Sequence, residues 1–159
     1  MTTIRATVVA DSKSSVADHR ITTLLLRYPR WIHAEGRTHR QLRIGEEFPT
    51  PSVMEDPDLS RNASSSRAIT VERLIEDVLR DPAIPMFWGA NQRGMQAGEE
   101  CNNPIILPYH FEEGEQATRE EAWLWARDRA IQAAKCFAKA GYHKQIVNRL
   151  LEPFSHINV

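Results

Sequence analysis

Residues 3–28 read TIRATVVADSKSSVADHRITTLLLRY, and this stretch decides the fold class. Thr3 to Ala10 is rich in β-branched residues, which predicts a strand. Asp11 to Asp18 is polar and predicts a loop. Ile21 to Tyr28 predicts a second, more buried strand. Two strands joined by so short a connection form an antiparallel hairpin.

Working outward, Pro29 predicts the start of a helix that runs to about Arg40, because its missing N–H costs nothing there. Gly36 weakens that helix by about 1 kcal/mol against alanine. Glu35 and His39, four apart, share one face. Residues 41–59 contain Pro49, Pro51 and Pro57 and several acids against the single Arg43. They predict an exposed inserted loop. Residues 60–67, SRNASSSR, are polar and without periodicity.

Thr70 predicts a helix cap, and Val71, Leu74, Ile75, Val78 and Leu79 give one apolar stripe. Asp81-Pro82 stops it. Residues 83–114 predict an irregular excursion with a short strand near 105–107. Thr118 and Glu121 form a capping box. Trp123, Ala126, Ala130, Ala133, Phe137 and Ala140 then recur at helical spacing, and Gly141 ends the helix. Residues 142–151 predict a short helix closed by Pro153. Residues 155–159 read as a strand without a partner, as though the chain stopped in mid-domain. The expected fold is α+β: a small, mostly antiparallel sheet with packed helices. A single domain, 1–159, is expected, one whose pattern reads as truncated at the C-terminus.

Hydrophobic residues make up 42% of the chain and charged residues 26%, the balance of a folded globular protein. The formal net charge of -1 provides no global field to recruit nucleic acid. Residues 142–151 follow a helix and a glycine turn, yet they carry only Lys144 and Arg149, no dense basic face, which argues against DNA. No apolar run reaches the roughly 18 residues of a membrane span. The first ten residues lack the pattern of a signal peptide. With only Cys101 and Cys136, a reducing cytoplasm is the expected location. Both cysteines are expected to be buried small hydrophobes. The six histidines show no metal-type spacing, so no metal site is expected. Core packing is expected for Trp123, and Trp125 is open to a partner interface.

The residues suited to chemistry cluster between Arg37 and Arg67. Arg37, Arg40, Arg43, Arg61 and Arg67 can grip phosphate with a planar fork. Ser60, Ser64, Ser65 and Ser66 add hydroxyl and backbone donors. Asn62 can read the amide edge of a base or flavin ring. This set suits a nucleotide, although the serines fit a simple polar turn before the helix at Thr70 equally well.

The string Thr38-His39-Arg40 followed by Ser60-Arg61-Asn62-Ala63-Ser64-Ser65-Ser66-Arg67 resembles the signature of flavin-dependent thymidylate synthases. RYPRWIHAE and PAIPMFWGANQRGMQAGEE look like the longer variant found in phages and some bacteria. GYHKQIVNRLLEP looks like the family's Gly…Ala-Arg-x-x-Leu-Pro helix, with Arg149 at the arginine. The resemblance covers the family's N-terminal part and implies the thymidylate synthase-complementing fold. It implies FAD contacts at Thr38, His39, Arg40 and Asn62. It implies dUMP contacts at Ser65, Arg67 and Arg149, with Ala63, Ser64 and Ser66 lining the same turn and Glu35 near the nucleotide. The implied reaction is reductive methylation of dUMP to dTMP in a homotetramer. Methylenetetrahydrofolate supplies the carbon and NADPH reduces the flavin. Thr38 stands where the family has arginine, and Ala63 where it has glutamate. Residues 41–59 open the motif by about 17 residues, an insertion cheap in closure entropy. The family's late Asn-x-Arg flavin contact and its catalytic arginine would lie beyond Val159. A non-catalytic nucleotide-binding remnant, a subunit completed by a second chain, and a related pyrimidine-modifying enzyme are the other readings.

Overall fold

The computed structural model describes residues 3–34, 69–94, 96–107 and 116–159. β1 (Arg5–Lys13) and β2 (Arg20–Pro29) form the expected antiparallel hairpin. β1 runs through Lys13, three residues into the predicted loop. Cross-strand polar contacts replace burial there: Arg20 donates to Asp11 from Nε at 2.8 Å, and Thr22 Oγ1 donates to Asp11 at 3.0 Å. The turn is closed by Ser14, whose N–H donates to His19 O and whose hydroxyl accepts from the N–H groups of Val16 and Ala17. The register shifts between Val8 and Ala10, a bulge that increases the local twist.

The third strand corrects an expectation. Residues 155–159 were expected to lack a partner, but β3 (His156–Asn158) pairs antiparallel with β2 and makes β2 the central strand. Val159 continues the ladder, exchanging two hydrogen bonds with Leu26. No local signal in residues 155–159 could announce a strand 130 residues away in sequence as its neighbour. The sheet is thus small and antiparallel, with helices beside it, and the architecture is α+β.

Pro29 is not the first residue of a helix. It ends β2, buried, with ψ of 132°, and a 3-10 turn follows at Arg30–Ile32. Its pairing with His156 removes it from helical geometry. The rest of that predicted helix, from Glu35, lies outside the described residues.

α1 (Val71–Arg80) begins as expected, with the Thr70 side chain accepting from the Arg73 N–H. Val71, Leu74, Ile75 and Val78 are buried, whereas Leu79 is half exposed. The long helix α2 (Arg119–Lys139) carries the complete Thr118–Glu121 capping box. Its inward face follows the predicted stripe through Trp123, Ala126 and Ala130, then continues at Ile131, Ala134 and Ala138 instead of Ala133, Phe137 and Ala140. Phe137 and Ala140 are exposed. Phe137 serves the C-terminal cap instead. Tyr142 N–H donates to Phe137 O, Gly141 N–H donates to Ala138 O, and the two rings lie 5.0 Å apart. Gly141, at φ 86°, supplies the left-handed residue this cap requires.

The predicted helix over 142–151 is shorter and tighter than expected. α3 covers only Lys144–Val147, and a 3-10 helix then runs from Asn148 to Phe154 with Pro153 inside it. Asn148, Leu151 and Phe154 are buried, a spacing of three that matches three residues per turn. The described residues between 83 and 107 are irregular, as expected, and the predicted strand near 105–107 is only a bridge between Ile105 and Ala117. Gly89 sits in a second bridge, to Glu100. A Cβ there would lie 2.3 Å from Ala97 Cβ, so only glycine fits.

The core lies among α1, α2, α3 and the C-terminal 3-10 helix. Trp123 is its hub. It meets Trp31, Trp88 and Phe154 edge-on at 5.5–5.7 Å, and its indole N–H donates to Ala83 O at 2.9 Å. Trp125 is half-buried, with the Arg129 guanidinium 5.9 Å from its ring. Cys101 is half-buried and Cys136 is exposed, so the expectation of two buried thiols fails for Cys136. No described helix is long and apolar enough to cross a membrane.

Candidate functional site

Of the residues that the motif resemblance singles out, Arg149 alone lies in the described part of the chain. Glu35, Thr38, His39, Arg40, Asn62, Ala63, Ser64, Ser65, Ser66 and Arg67 lie outside it, as does the 41–59 insertion.

Arg149 is carried by the 3-10 helix, one residue after the buried Asn148. That step turns its side chain outward, leaving it 60% exposed. Nη1 donates to Glu152 Oε1 at 3.4 Å, three residues on. The same Glu152 oxygen lies 3.7 Å from Nε of Arg30, which is largely buried. The Arg30 N–H donates to Ser155 O, and the Ser155 hydroxyl donates to Glu152 O. The end of β2 is thereby fastened to the end of the 3-10 helix. Two guanidinium groups thus meet one oxygen of the Glu152 carboxylate. An exposed, oriented guanidinium in such a corner is suited to an oxyanion.

Behind Arg149, Asn148 is 3% exposed, and neither its amide nitrogen nor its amide oxygen has a hydrogen-bond partner. Sequence reading did not single it out. It shares the stripe of Leu151 and Phe154, where an apolar residue is the default.

A second polar cluster was also missed. Asp81, read only as a helix stop, accepts from Arg27 Nη2 at 2.7 Å and from the Thr3 N–H at 3.1 Å. His156, on β3, places Nδ1 3.3 Å from Arg27 Nη2 and 3.7 Å from Asp81 Oδ2. Arginine can only donate, so Nδ1 accepts and the ring proton sits on Nε2, which is buried without a partner. Burial, and then the Arg27 charge, depress the His156 pKa, with Asp81 opposing them in part. Burial pushes the Asp81 carboxyl upward. The Arg27 and Thr3 hydrogen bonds and the nearby charges outweigh it and hold the carboxyl below its ordinary range. At neutral pH the cluster is an ion pair with a neutral imidazole. Its charges are matched, and it joins four segments distant in sequence, which makes it a clasp of the fold.

Open hollows occur on the described surface. One, about 430 Å³, lies at the start of α2 beside Asn102, Pro104, Gln116 and Thr118. The other, about 550 Å³, runs between α1 and α2. Neither is lined by Arg149 or by the Asp81 cluster. No group of three His, Cys, Asp or Glu side chains suited to a metal occurs among the described residues. No protein family, curated protein or solved structure matches the chain.

Proposed function

We propose that this chain is a nucleotide-binding protein of the flavin-dependent thymidylate synthase type, acting on dUMP. The observation that carries this reading is the ordered succession Thr38-His39-Arg40, SRNASSSR and GYHKQIVNRLLEP along one chain. The outward guanidinium of Arg149, held by Glu152, supports it. Arg67 and Arg149 take the phosphate, with Ser64, Ser65 and Ser66 adding donors and Ala63 and Glu35 beside them. Thr38, His39, Arg40 and Asn62 would hold FAD, which when bound would carry the hydride and relay the one-carbon unit. Methylenetetrahydrofolate and NADPH are the co-substrates, and the product is dTMP. The chain's own share is binding, orientation and electrostatics. A thymidylate synthase-complementing arrangement of the α+β fold, a homotetramer and a cytoplasmic location belong to the same reading. Thr38 in place of arginine and Ala63 in place of glutamate favour a second version, in which the chain binds the nucleotide without turning it over or modifies a related pyrimidine.

Calorimetric titration with dUMP tests the reading on four proteins: wild type, Arg67→Lys, Arg149→Ala and Arg43→Lys. Losing a charged hydrogen-bond partner costs about 1.5–3 kcal/mol, or roughly 10- to 150-fold in affinity. That loss is expected for Arg67→Lys, whose ammonium lacks the bidentate fork, and for Arg149→Ala. Arg43→Lys should bind as wild type does. A folded wild type that ignores dUMP, or four equal affinities, would overturn the proposal.

A further inference from the structure

We infer that the hollow between α1 and α2 is where a second copy of this chain docks, helix pair against helix pair, about a two-fold axis lying along the hollow. The walls of this hollow, about 550 Å³ in volume, carry opposite charge. Glu72 and Glu76 line it from α1, and Lys135 and Lys139 line it from α2. All four are exposed. Neighbouring charges on the same helices are already matched: Asp77 pairs with Arg80, and Arg127 with Asp128. None of the four wall charges has an ion-pair partner among the described residues. Val71, Ile75 and Ala138 add an apolar lining, and Leu79, 49% exposed, stands on the α1 side.

Each wall is uniform in sign. Glu72 and Glu76 stand four apart on one helix, as do Lys135 and Lys139, and like charges at that spacing repel. An occupant that relieves both walls brings cations to α1 and anions to α2, at the same spacing. A second copy does so. A two-fold axis along the hollow sets α1 of one copy over α2 of the other. Glu72 and Glu76 then face the partner's Lys135 and Lys139, and the reciprocal contacts follow by symmetry. The pairs match in step because each spans one turn of α-helix. An axis across the hollow would stack α1 on α1 and set glutamates against glutamates. Charge thus selects the first axis. The seam covers Leu79, and removing its side chain from water supplies the non-directional part of the attraction. The ion pairs fix the register. Binding of dUMP plays no part in this contact, so it stands or falls separately from the proposed function.

Sedimentation equilibrium of the full chain tests the contact in wild type and two double variants at these exposed positions, with melting curves for each. Glu72→Lys with Glu76→Lys makes both walls basic. Lys135→Glu with Lys139→Glu makes both walls acidic. Wild type should self-associate, and less so at high salt. Each double variant alone should associate at least about tenfold more weakly, because like charges then face each other across the seam. An equimolar mixture of the two should regain the association, since the basic walls of one meet the acidic walls of the other. If either double variant fails to fold, the chain carrying all four exchanges takes its place. Its walls are again opposite in sign, so it should self-associate as wild type does, and its failure to do so would overturn the inference. A monomeric wild type would overturn it too, and is the result expected if a foreign helix or another segment of the same chain fills the hollow. So would a double variant that associates as wild type does, or a mixture as dissociated as its components.

Discussion

At the scale of single residues, Trp123 joins the aromatic contacts beside the core. Three aromatic rings meet it edge-on, and its N–H satisfies the Ala83 carbonyl. Removing a large aromatic from such a site costs about 3–5 kcal/mol. Trp123→Ala should therefore lower the unfolding free energy from urea titration by that much, and Trp123→Phe by less. Phenylalanine keeps most of the ring contacts but strands the Ala83 oxygen, so Trp123→Phe should still lose stability. A Trp123→Phe midpoint equal to wild type would show that the hydrogen bond contributes nothing. Trp123 was legible in the sequence because it starts an alanine-bearing helical stripe. Arg27, Glu152 and Asn148 were not, because their roles depend on neighbours brought in by tertiary folding.

At the scale of elements, legibility follows the range of the interactions that define each boundary. The α2 start is set by Thr118 and Glu121, three residues apart, and it forms as the pattern requires. Gly141 stops the helix by an equally local device. The inward face of α2 was read less well after Ala130, because Phe137 looks like a core residue by type and is taken by the Tyr142 cap. The 3-10 helix is a further case. A spacing of three at Asn148, Leu151 and Phe154 was available in the sequence, but asparagine hid it by breaking the apolar pattern. The capping box supports a direct measurement. Thr118→Ala removes the acceptor for the Glu121 N–H, and loss of such a cap costs about 1 kcal/mol. Thr118→Ser keeps the hydroxyl and should recover most of it. Equal chemical stability of Thr118→Ala and wild type would mean that this helix end is not coupled to global unfolding.

At the scale of the whole molecule, the Asp81 clasp ties Thr3, β2, the end of α1 and β3 into one unit, and its protonation chemistry predicts how that unit responds to acid. His156 has a depressed pKa in the folded chain, so between its unfolded value, about 6.5, and its folded value the unfolded chain binds the extra proton. Stability from this source is fully present above about pH 6.5 and is lost as the pH falls below it. Asp81 is depressed as well, so its contribution holds until the pH drops below its unfolded value, about 3.9, and is lost only then. Acid should therefore weaken the fold in two steps, the first from the imidazole and the second from the carboxylate. His156→Gln isolates the first step. Glutamine can still accept from Arg27, but it does not titrate. Urea unfolding at pH 7.5 and 5.5 should show wild type losing more stability across the interval than His156→Gln, whatever the offset between the two proteins at pH 7.5. The comparison over one interval assigns the difference to position 156. Identical losses would mean that folding leaves the proton affinity of the imidazole unchanged, contrary to its buried place beside Arg27.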